Sequence, residues 1–251
     1  MIRNQFSGAS KFIAVAMTGV VVFSASAIGS QNAMATPASV STGHGAMTFE
    51  FPDVVFDASE NCITPSFNVD VKSSIPNSDW FVDITIRKNG QSPTGSEGRS
   101  YGTNSGPGTG TIQICPGLDG SGTFIVDGVF ITFDNQTNNK LEKTFTSSVN
   151  IKKGSSVFVL SSLKRSGSNI SVTGNVTGKS EKYGMVGLRG YVRVDYQLKN
   201  STKWLALTNV FTDKSGNFKM SVAKNLPKKI LFRVKFMGND SMEASEVQKV
   251  A

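Results

Sequence analysis

Residues with catalytic potential are few and widely spaced in this chain of 251 residues. His44 is the only histidine, and it lies in a Gly-, Ala- and Thr-rich stretch, so a hydrolytic triad would lack its base. Asp53, Asp57, Asp70 and Asp83 are candidates for the paired carboxylates of a glycosidase. Strand alternation places Asp70 and Asp83 on solvent-facing sides, which explains both without a reaction. We predict a protein with no catalytic residues and no cofactor.

Two turn-like stretches carry oxygen ligands of the kind that calcium prefers. Residues 213–217, DKSGN, place their glycine fourth instead of sixth, and no glutamate follows at position twelve, so an ordinary turn is predicted. Residues 134–139, DNQTNN, are left as an alternative, a weak calcium site in a loop. The main prediction is that the chain holds no metal.

The N-terminus has the pattern of a secretory signal peptide. Arg3 and Lys11 precede the apolar run FIAVAMTGVVVF at 12–23, and small residues follow as far as the A-x-A-like residues 33–35. The apolar run is shorter than the roughly 20 residues that a membrane span needs. We therefore predict a signal peptide over 1–35 and a mature protein that is secreted and has no transmembrane segment. Its predicted location is extracellular, and association with the cell surface is left open.

Secretion makes the two cysteines, Cys62 and Cys115, interpretable. In an oxidising compartment two cysteines most simply form one disulfide. Metal ligation is the competing interpretation, but two isolated thiolates do not fill a tetrahedral site. We predict the Cys62–Cys115 disulfide, and the pattern leaves open whether it links two sheets or lies within one.

Charge divides the chain into two halves of opposite sign. Residues 36–153 carry 8 Lys and Arg against 12 Asp and Glu, whereas residues 154–251 carry 16 against 6. The basic half could attract an anionic cell-wall polymer, or its charge could form a solvated surface that keeps the protein soluble. An extracellular location argues against nucleic acid as the partner. The candidate contacts for an anionic polymer are Lys164, Arg165, Arg189, Arg193, Lys228, Lys229, Arg233 and Lys235.

Aromatic side chains suggest a second ligand class, because β-sandwich modules can present flat rings to sugars. The candidates for a glycan platform are Tyr183, Tyr191 and Trp204, with Tyr101 in the acidic half. Trp80 begins a predicted strand and is expected in the core.

Alternation of apolar and polar residues predicts strands throughout. Val192, Val194, Tyr196 and Leu198 share one side of a strand, while Arg193, Asp195 and Gln197 share the other. Similar patterns predict strands in the basic half at 158–163, 170–176, 218–222 and 230–236, with a short strand near Val247. In the acidic half they predict strands at 47–51, 66–71, 80–86, 111–115, 123–133 and 144–151. Residues 89–110, rich in Gly and Ser, are predicted to form a long exposed loop.

These elements predict an all-β protein of two antiparallel β-sandwich domains in tandem after the signal peptide. The predicted boundaries are a flexible lead-in at 36–45, a first sandwich with one disulfide at 46–152, a linker at 153–156 and a basic sandwich at 157–251. The order Cys62, Trp80, Cys115 resembles that of immunoglobulin domains, in which a buried Trp packs against an inter-sheet disulfide.

The basic half is similar to the bacterial Ig-like modules of secreted and surface proteins, especially those of actinobacteria. The resemblance rests on YVRVDYQLK leading into KWLALTNVFTD, on the turn TDKSGNF, and on the closing phrase FMGNDSMEAS, in which Met242 stands where the family usually has an aromatic. It is strongest over 157–247 and implies Ig-like sandwiches with a spacer, display or adhesion role.

We therefore expect a secreted, non-enzymatic Ig-like protein with a structural, adhesion or protein-interaction role at the bacterial cell surface. The alternative is a polysaccharide- or cell-wall-binding β-sandwich module. An extracellular protein or an anionic cell-wall polymer is the expected partner, and the sequence gives no oligomeric state.

Overall fold

The structure is a computed structural model that describes residues 37–59 and 61–251, so the predicted signal peptide lies outside the described residues. The described chain is almost entirely β-structure, which confirms the all-β prediction. The first half contains β1 (Ala38–Thr42), β2 (Gly45–Glu50), β3 (Val54–Val55), β4 (Ser66–Ser73), β5 (Ser78–Lys88), β6 (Glu97–Thr103), β7 (Gly106–Thr111), the short helix α1 (Pro116–Asp119), β8 (Gly122–Asp134) and β9 (Asn139–Lys152). The second half contains β10 (Ser156–Ser166), β11 (Asn169–Ser180), β12 (Gly184–Gly187), β13 (Tyr191–Gln197), β14 (Leu205–Phe211), β15 (Asn217–Ala223), β16 (Leu231–Phe236) and β17 (Ser245–Val250).

The first half is one nine-stranded sheet, here called the N-terminal sheet, in the order β1-β2-β4-β7-β6-β5-β8-β9-β3. All neighbours are antiparallel except the short pair of β3 with β9. The sheet curls so that β1 comes close to β8 and β9. The hydroxyls of Thr42 on β1 and Thr132 on β8 lie 2.9 Å apart. Inward side chains such as Trp80, Val82 and Ile84 fill the enclosed space as one hydrophobic cluster. The alternation predicted for β5 is thus confirmed.

The glycine-rich stretch at 89–110 was predicted as a long exposed loop, and this prediction is wrong. It contains β6 and β7, and Gly98, Gly102, Gly108 and Gly110 lie where aromatic rings press against the backbone. A Cβ on Gly102 or Gly108 would overlap the ring of Trp80, which is 2% exposed. Glycine here makes room for a large ring inside a sheet, so a composition typical of loops belongs to two strands.

Two further boundaries in this half differ from the prediction. Most of the segment predicted as a lead-in at 36–45 is strand, because β1 pairs with β2 and its Ala38 and Val40 pack against the hydrophobic cluster. The strand predicted at 111–115 is not formed as such, since Thr111 is the last residue of β7 and Ile114 makes a single bridge to Ile63.

The predicted disulfide forms between Cys62 and Cys115, whose Cα atoms are 4.1 Å apart. It joins the two segments that the bridge between Ile63 and Ile114 also holds together, with Cys115 immediately preceding α1. Cys62 is exposed, so the bond lies at the surface and does not occupy the buried inter-sheet position that the immunoglobulin resemblance implies. Trp80 is buried as predicted, against glycine backbone.

The second half, here called the C-terminal sandwich, packs two four-stranded sheets around a second hydrophobic cluster. In one sheet β11 pairs with β10 on one edge and with β12 and β15 on the other. The other sheet has the order β14-β13-β16-β17. The alternation predicted for β13 holds for Val192, Val194 and Tyr196, which are buried, but Leu198 lies beyond the strand and is 38% exposed.

The predicted linker at 153–156 is short in the structure, since β10 already begins at Ser156. Residues of this linker contact the turn that follows β16. Gly154 bridges to Met242, which is 1% exposed, and the side chain of Lys153 donates to the carbonyl of Asn239. In the turn that follows β16, Gly238 has a φ of +79°, a left-handed conformation that suits glycine.

A second connection is made by the segment that follows β3. The amide of Ala58 donates to the carbonyl of Lys179 at 3.1 Å, and the methyl group of Ala58 belongs to the hydrophobic cluster of the C-terminal sandwich. Burial alone would raise the pKa of Asp57, but hydrogen bonds donated by Ser59, Ser180 and the amide of Glu181 lower it. The segment after β3 therefore contributes a buried methyl group and an ionised carboxylate to the C-terminal sandwich.

Candidate functional site

The candidate site is the outward side of the sheet β14-β13-β16-β17. Because Val192 and Val194 face the core, the residues that alternate with them must face away from it. The strand register then places Arg193 opposite Lys235, and Asp195 opposite Arg233. Outward residues from three strands, with one residue just before β13 and one just before β14, thus form one surface, called here the basic–aromatic face. It consists of Arg189, Tyr191, Arg193, Trp204, Phe211, Arg233 and Lys235.

Asp195 lies beneath the centre of this face and is only 1% exposed. Its Oδ2 accepts a hydrogen bond from Arg193 Nη2 at 3.0 Å and another from Arg233 Nη2 at 2.7 Å. One buried carboxylate therefore holds two guanidinium groups in fixed orientations. Because each guanidinium has five N–H donors, donors remain for a ligand on the solvent side.

Aromatic rings lie at both ends of the face. Tyr191 and Phe211 pack edge-to-face with their centroids 5.0 Å apart, and their side chains are 56% and 44% exposed. The guanidinium of Arg189 lies over the Phe211 ring at 5.5 Å. At the other end, the guanidinium of Arg233 lies 4.5 Å from the Trp204 ring. Cation–π contacts thus link rings and charges into one continuous surface.

The charge of the face is positive. Four cations stand against Asp195 and, at the margin, Glu246, whose Oε2 lies 4.0 Å from Arg233 Nε. Planar guanidinium groups bind carboxylate, phosphate or sulfate oxygens in pairs, and exposed ring faces cover the apolar faces of sugar rings. The combination suits an anionic polymer that also carries ring-shaped units.

The other predicted contact residues lie elsewhere. Lys164 and Arg165 are near the end of β10, where Arg165 donates to the carbonyls of Leu226 and Pro227. Lys228 and Lys229 belong to the segment before β16. Tyr183 is 61% exposed between β11 and β12, with the ammonium of Lys182 5.0 Å from its ring centroid. These five residues therefore lie outside the strands β13, β14 and β16 that carry the basic–aromatic face.

Two residues of this region were missed by sequence reasoning. Asp195 was assigned to the solvent-facing side of its strand, whereas it is buried under the arginines. Phe211 was not considered, because the alternation of β14 is weak and no strand was assigned there. Two sequence features could have revealed them: Arg193 lies two residues before Asp195, and the stretch KWLALTNVF ends in Phe211.

The carboxylates considered for catalysis have separate partners. Asp53 contacts Asn150 and Lys152, whereas Asp83 pairs with Arg99 on β6. Asp57 is held at the contact between the halves, as described above. Among residues 37–59 and 61–251, no three His, Cys, Asp or Glu side chains converge as metal ligands.

The two oxygen-rich stretches form hydrogen-bonded turns. In DKSGN, backbone hydrogen bonds from Asn217 and Ser215 to the Asp213 carboxylate lower its pKa. In DNQTNN, hydrogen bonds from Thr137 and the amide of Gln136 lower the pKa of Asp134. Both carboxylates therefore accept hydrogen bonds from residues of their own turns, and DKSGN forms the turn that was predicted for it.

Comparison with known proteins gives no family model and no curated protein that matches the chain. Among solved structures, red sea bream transglutaminase is similar with a TM-score of 0.40 and 9% identity, over 84% of this chain and 31% of that one. The chain thus spans about a third of that protein. The Pseudomonas aeruginosa CupB2 chaperone aligns over 79% of this chain and 96% of its own, at 11% identity and a TM-score of 0.23.

A third structure, a chaperone–tip adhesin complex of CFA/I fimbriae biogenesis, aligns over 81% of this chain and 98% of that one. Its identity is 10% and its TM-score 0.26. At these values the likenesses concern β-architecture and carry no functional argument. Within the described part of the chain, no helix has the length and apolar character needed to cross a membrane. The disulfide is compatible with an extracellular or periplasmic location.

Proposed function

We propose that this protein is a secreted, non-enzymatic adhesion protein that binds an anionic polymer of the bacterial cell surface through its basic–aromatic face. The observation that carries the proposal is the convergence of Arg189, Arg193, Arg233 and Lys235 with exposed rings on one side of one sheet. This face combines four of the sixteen Lys and Arg residues of 154–251 with exposed rings, a combination that a surface serving solubility alone does not need.

The buried carboxylate supports a binding role. Asp195 positions Arg193 and Arg233 before any ligand arrives, so binding would cost less side-chain entropy than for free arginines. Fixed forks of this kind match bidentate oxyanions better than mobile lysines do. The preferred ligand is therefore a polymer with carboxylate, phosphate or sulfate groups on a sugar-containing chain.

The non-enzymatic part of the proposal rests on where the polar side chains are engaged. Asp53, Asp57 and Asp83 each bind neighbouring side chains of the fold, and His44 lies beside Asn139 at a turn. The bacterial Ig-like assignment of the C-terminal sandwich remains part of this proposal, supported by its two packed antiparallel sheets.

The test is retention of the mature protein on purified cell-wall sacculi that keep their anionic polymers, across a salt series. We expect retention at low salt that fades by a few hundred millimolar, because screening shortens the reach of exposed charges. Sacculi stripped of anionic polymers should not retain the protein. Equal retention on both preparations would contradict the proposal.

A matched pair of variants separates a site from net charge. Arg189→Gln with Lys235→Gln removes two charges from the face and leaves the arginines that contact Asp195. Lys164→Gln with Lys228→Gln removes two charges elsewhere. Only the first variant should lose retention; equal losses would show that the overall positive charge is sufficient.

A further inference from the structure

The N-terminal sheet has an outward groove that the proposed function does not use. It lies over the central strands β6, β5, β8 and β9 and has a volume of about 860 Å³. That volume is in the range of ligand-binding clefts, roughly 300–1,000 Å³. The polar side chains that define this outer groove are Asp83, Thr85, Glu97, Arg99, Asp127, Thr144 and Thr146.

Two ion pairs lie in and beside the outer groove, and Glu97 adds a further carboxylate. Arg99 Nε lies 2.5 Å from Asp83 Oδ1, and Arg87 Nε lies 2.5 Å from Asp127 Oδ2. Each pair leaves carboxylate lone pairs and guanidinium N–H groups that can still bind hydroxyls. Counting Glu97, the three carboxylates exceed the two guanidinium groups by one, so the groove offers hydrogen bonds and does not attract anions. This suits a neutral ligand rich in hydroxyl groups.

A row of aromatic rings borders the groove. Phe81 lies between Tyr101 and Phe133, with ring centroids 6.3 Å and 5.6 Å away. Phe81 and Tyr101 are cross-strand partners, as are Asp83 and Arg99, and the two pairs are successive on the outward side, about 6.6 Å apart along the strands. The Tyr101 side chain is 73% exposed. A ring platform and a line of hydrogen-bonding groups therefore lie side by side.

We propose that the outer groove binds a neutral polysaccharide, whose sugar rings stack on Tyr101 and Phe81 while hydroxyls bind the paired charges and threonines. The site is distinct in position and chemistry from the basic–aromatic face. Stacking and uncharged hydrogen bonds survive high salt, so the two sites separate by ionic strength.

The experiment is sedimentation of the mature protein with insoluble neutral polysaccharides, namely cellulose, chitin, β-1,3-glucan and xylan. It is performed in about 0.5 M NaCl, where the screening length is roughly 4 Å. We expect binding to at least one of them. Tyr101→Ala should weaken that binding about tenfold, the loss of one stacking contact, while Tyr101→Phe should keep it. Tyr183→Ala, an exposed tyrosine outside the groove, is the matched control.

Three results would overturn the proposal. One is absence of binding to all four polysaccharides by a protein that is folded by circular dichroism. Another is equal binding by Tyr101→Ala and wild type. The third is self-association of the wild type, seen by light scattering, that Tyr101→Ala abolishes, because a second copy would then occupy the groove. Retention of Tyr101→Ala on anionic sacculi should be unchanged, so failure here is distinguishable from failure of the adhesion proposal.

Discussion

The outward-facing charges are arranged differently in the N-terminal sheet and in the C-terminal sandwich. In the first, Arg99 and Arg87 each pair with one aspartate and Glu97 adds a carboxylate, so the outer groove is polar without an excess of positive charge. In the second, Arg193 and Arg233 share the single buried Asp195, so positive charge is left over at the surface. The same antiparallel pattern thus yields two surfaces of different charge, and the positions of the acidic residues decide which.

The largest expected effect concerns the cross-link that only the first region has. Removing the bond with Cys62→Ser and Cys115→Ser should lower the free energy of unfolding by about 4 kcal/mol, because the bond closes a loop with a sequence separation of 53 residues. Hydrogen exchange should rise in peptides of the N-terminal sheet and change far less in β13–β16. Equal increases in both regions would show that the two unfold as one unit.

The next effect compares the buried anchor with an exposed pair. Asp195→Ala leaves two arginines without their carboxylate and should cost about 3 kcal/mol, the lower end of the range for a broken buried pair, because the arginines are partly exposed. Asp83→Ala removes an exposed pair and should cost about 0–1 kcal/mol. Urea denaturation measures both. Similar losses in the two variants would refute the distinction between these surfaces.

A smaller effect tests the glycines of the first region. Gly102→Ala should lower stability by about 1–3 kcal/mol, because its methyl group would overlap the buried Trp80 ring. Gly117→Ala is the control, since a methyl group there would lie at an ordinary 3.5 Å from Asp240 Oδ2. Thermal unfolding distinguishes them, with tryptophan fluorescence measured in a Trp204→Phe background so that it reports Trp80. A neutral Gly102→Ala would mean that these strands hold the ring loosely.

The smallest effect is a pH dependence at the contact between the regions. The pKa of Asp57 is below its ordinary 3.8, so its contribution is fully present above that value and is lost as pH falls through the lower, folded pKa. Hydrogen exchange at 179–181 should therefore increase below about pH 3.8. Asp57→Asn should remove this acid-dependent step. A step that persists in the variant would assign it to another carboxylate.

Alternation in the sequence was sufficient to locate most strands, because a half-buried strand needs an apolar residue at every second position. It failed where the reason for a residue lay on another strand. The glycines of β6 and β7 make sense only beside Trp80 and Phe67, which are distant in sequence. Weak alternation likewise concealed β12 and β14.

The candidate site was predictable in its residue types and not in its assembly. Arg193, Arg233 and Lys235 could be assigned to strands, since each alternates with buried residues. The register that places Arg193 beside Lys235 is a property of the folded sheet. The burial of Asp195 was hidden because alternation gives the side of a strand, while depth depends on the long arginine side chains that cover it.

The position of Ala58 has a practical consequence for anyone who expresses these halves separately. Its methyl group fills a space next to Gly178, where an added Cβ would lie 2.8 Å from it and 2.6 Å from Met242 Cε. A fragment cut at the boundary near residue 153 would lose this filler and present Met242 and Leu188 to water. Such a fragment should need detergent or a short supplied peptide spanning 54–59 to remain monodisperse.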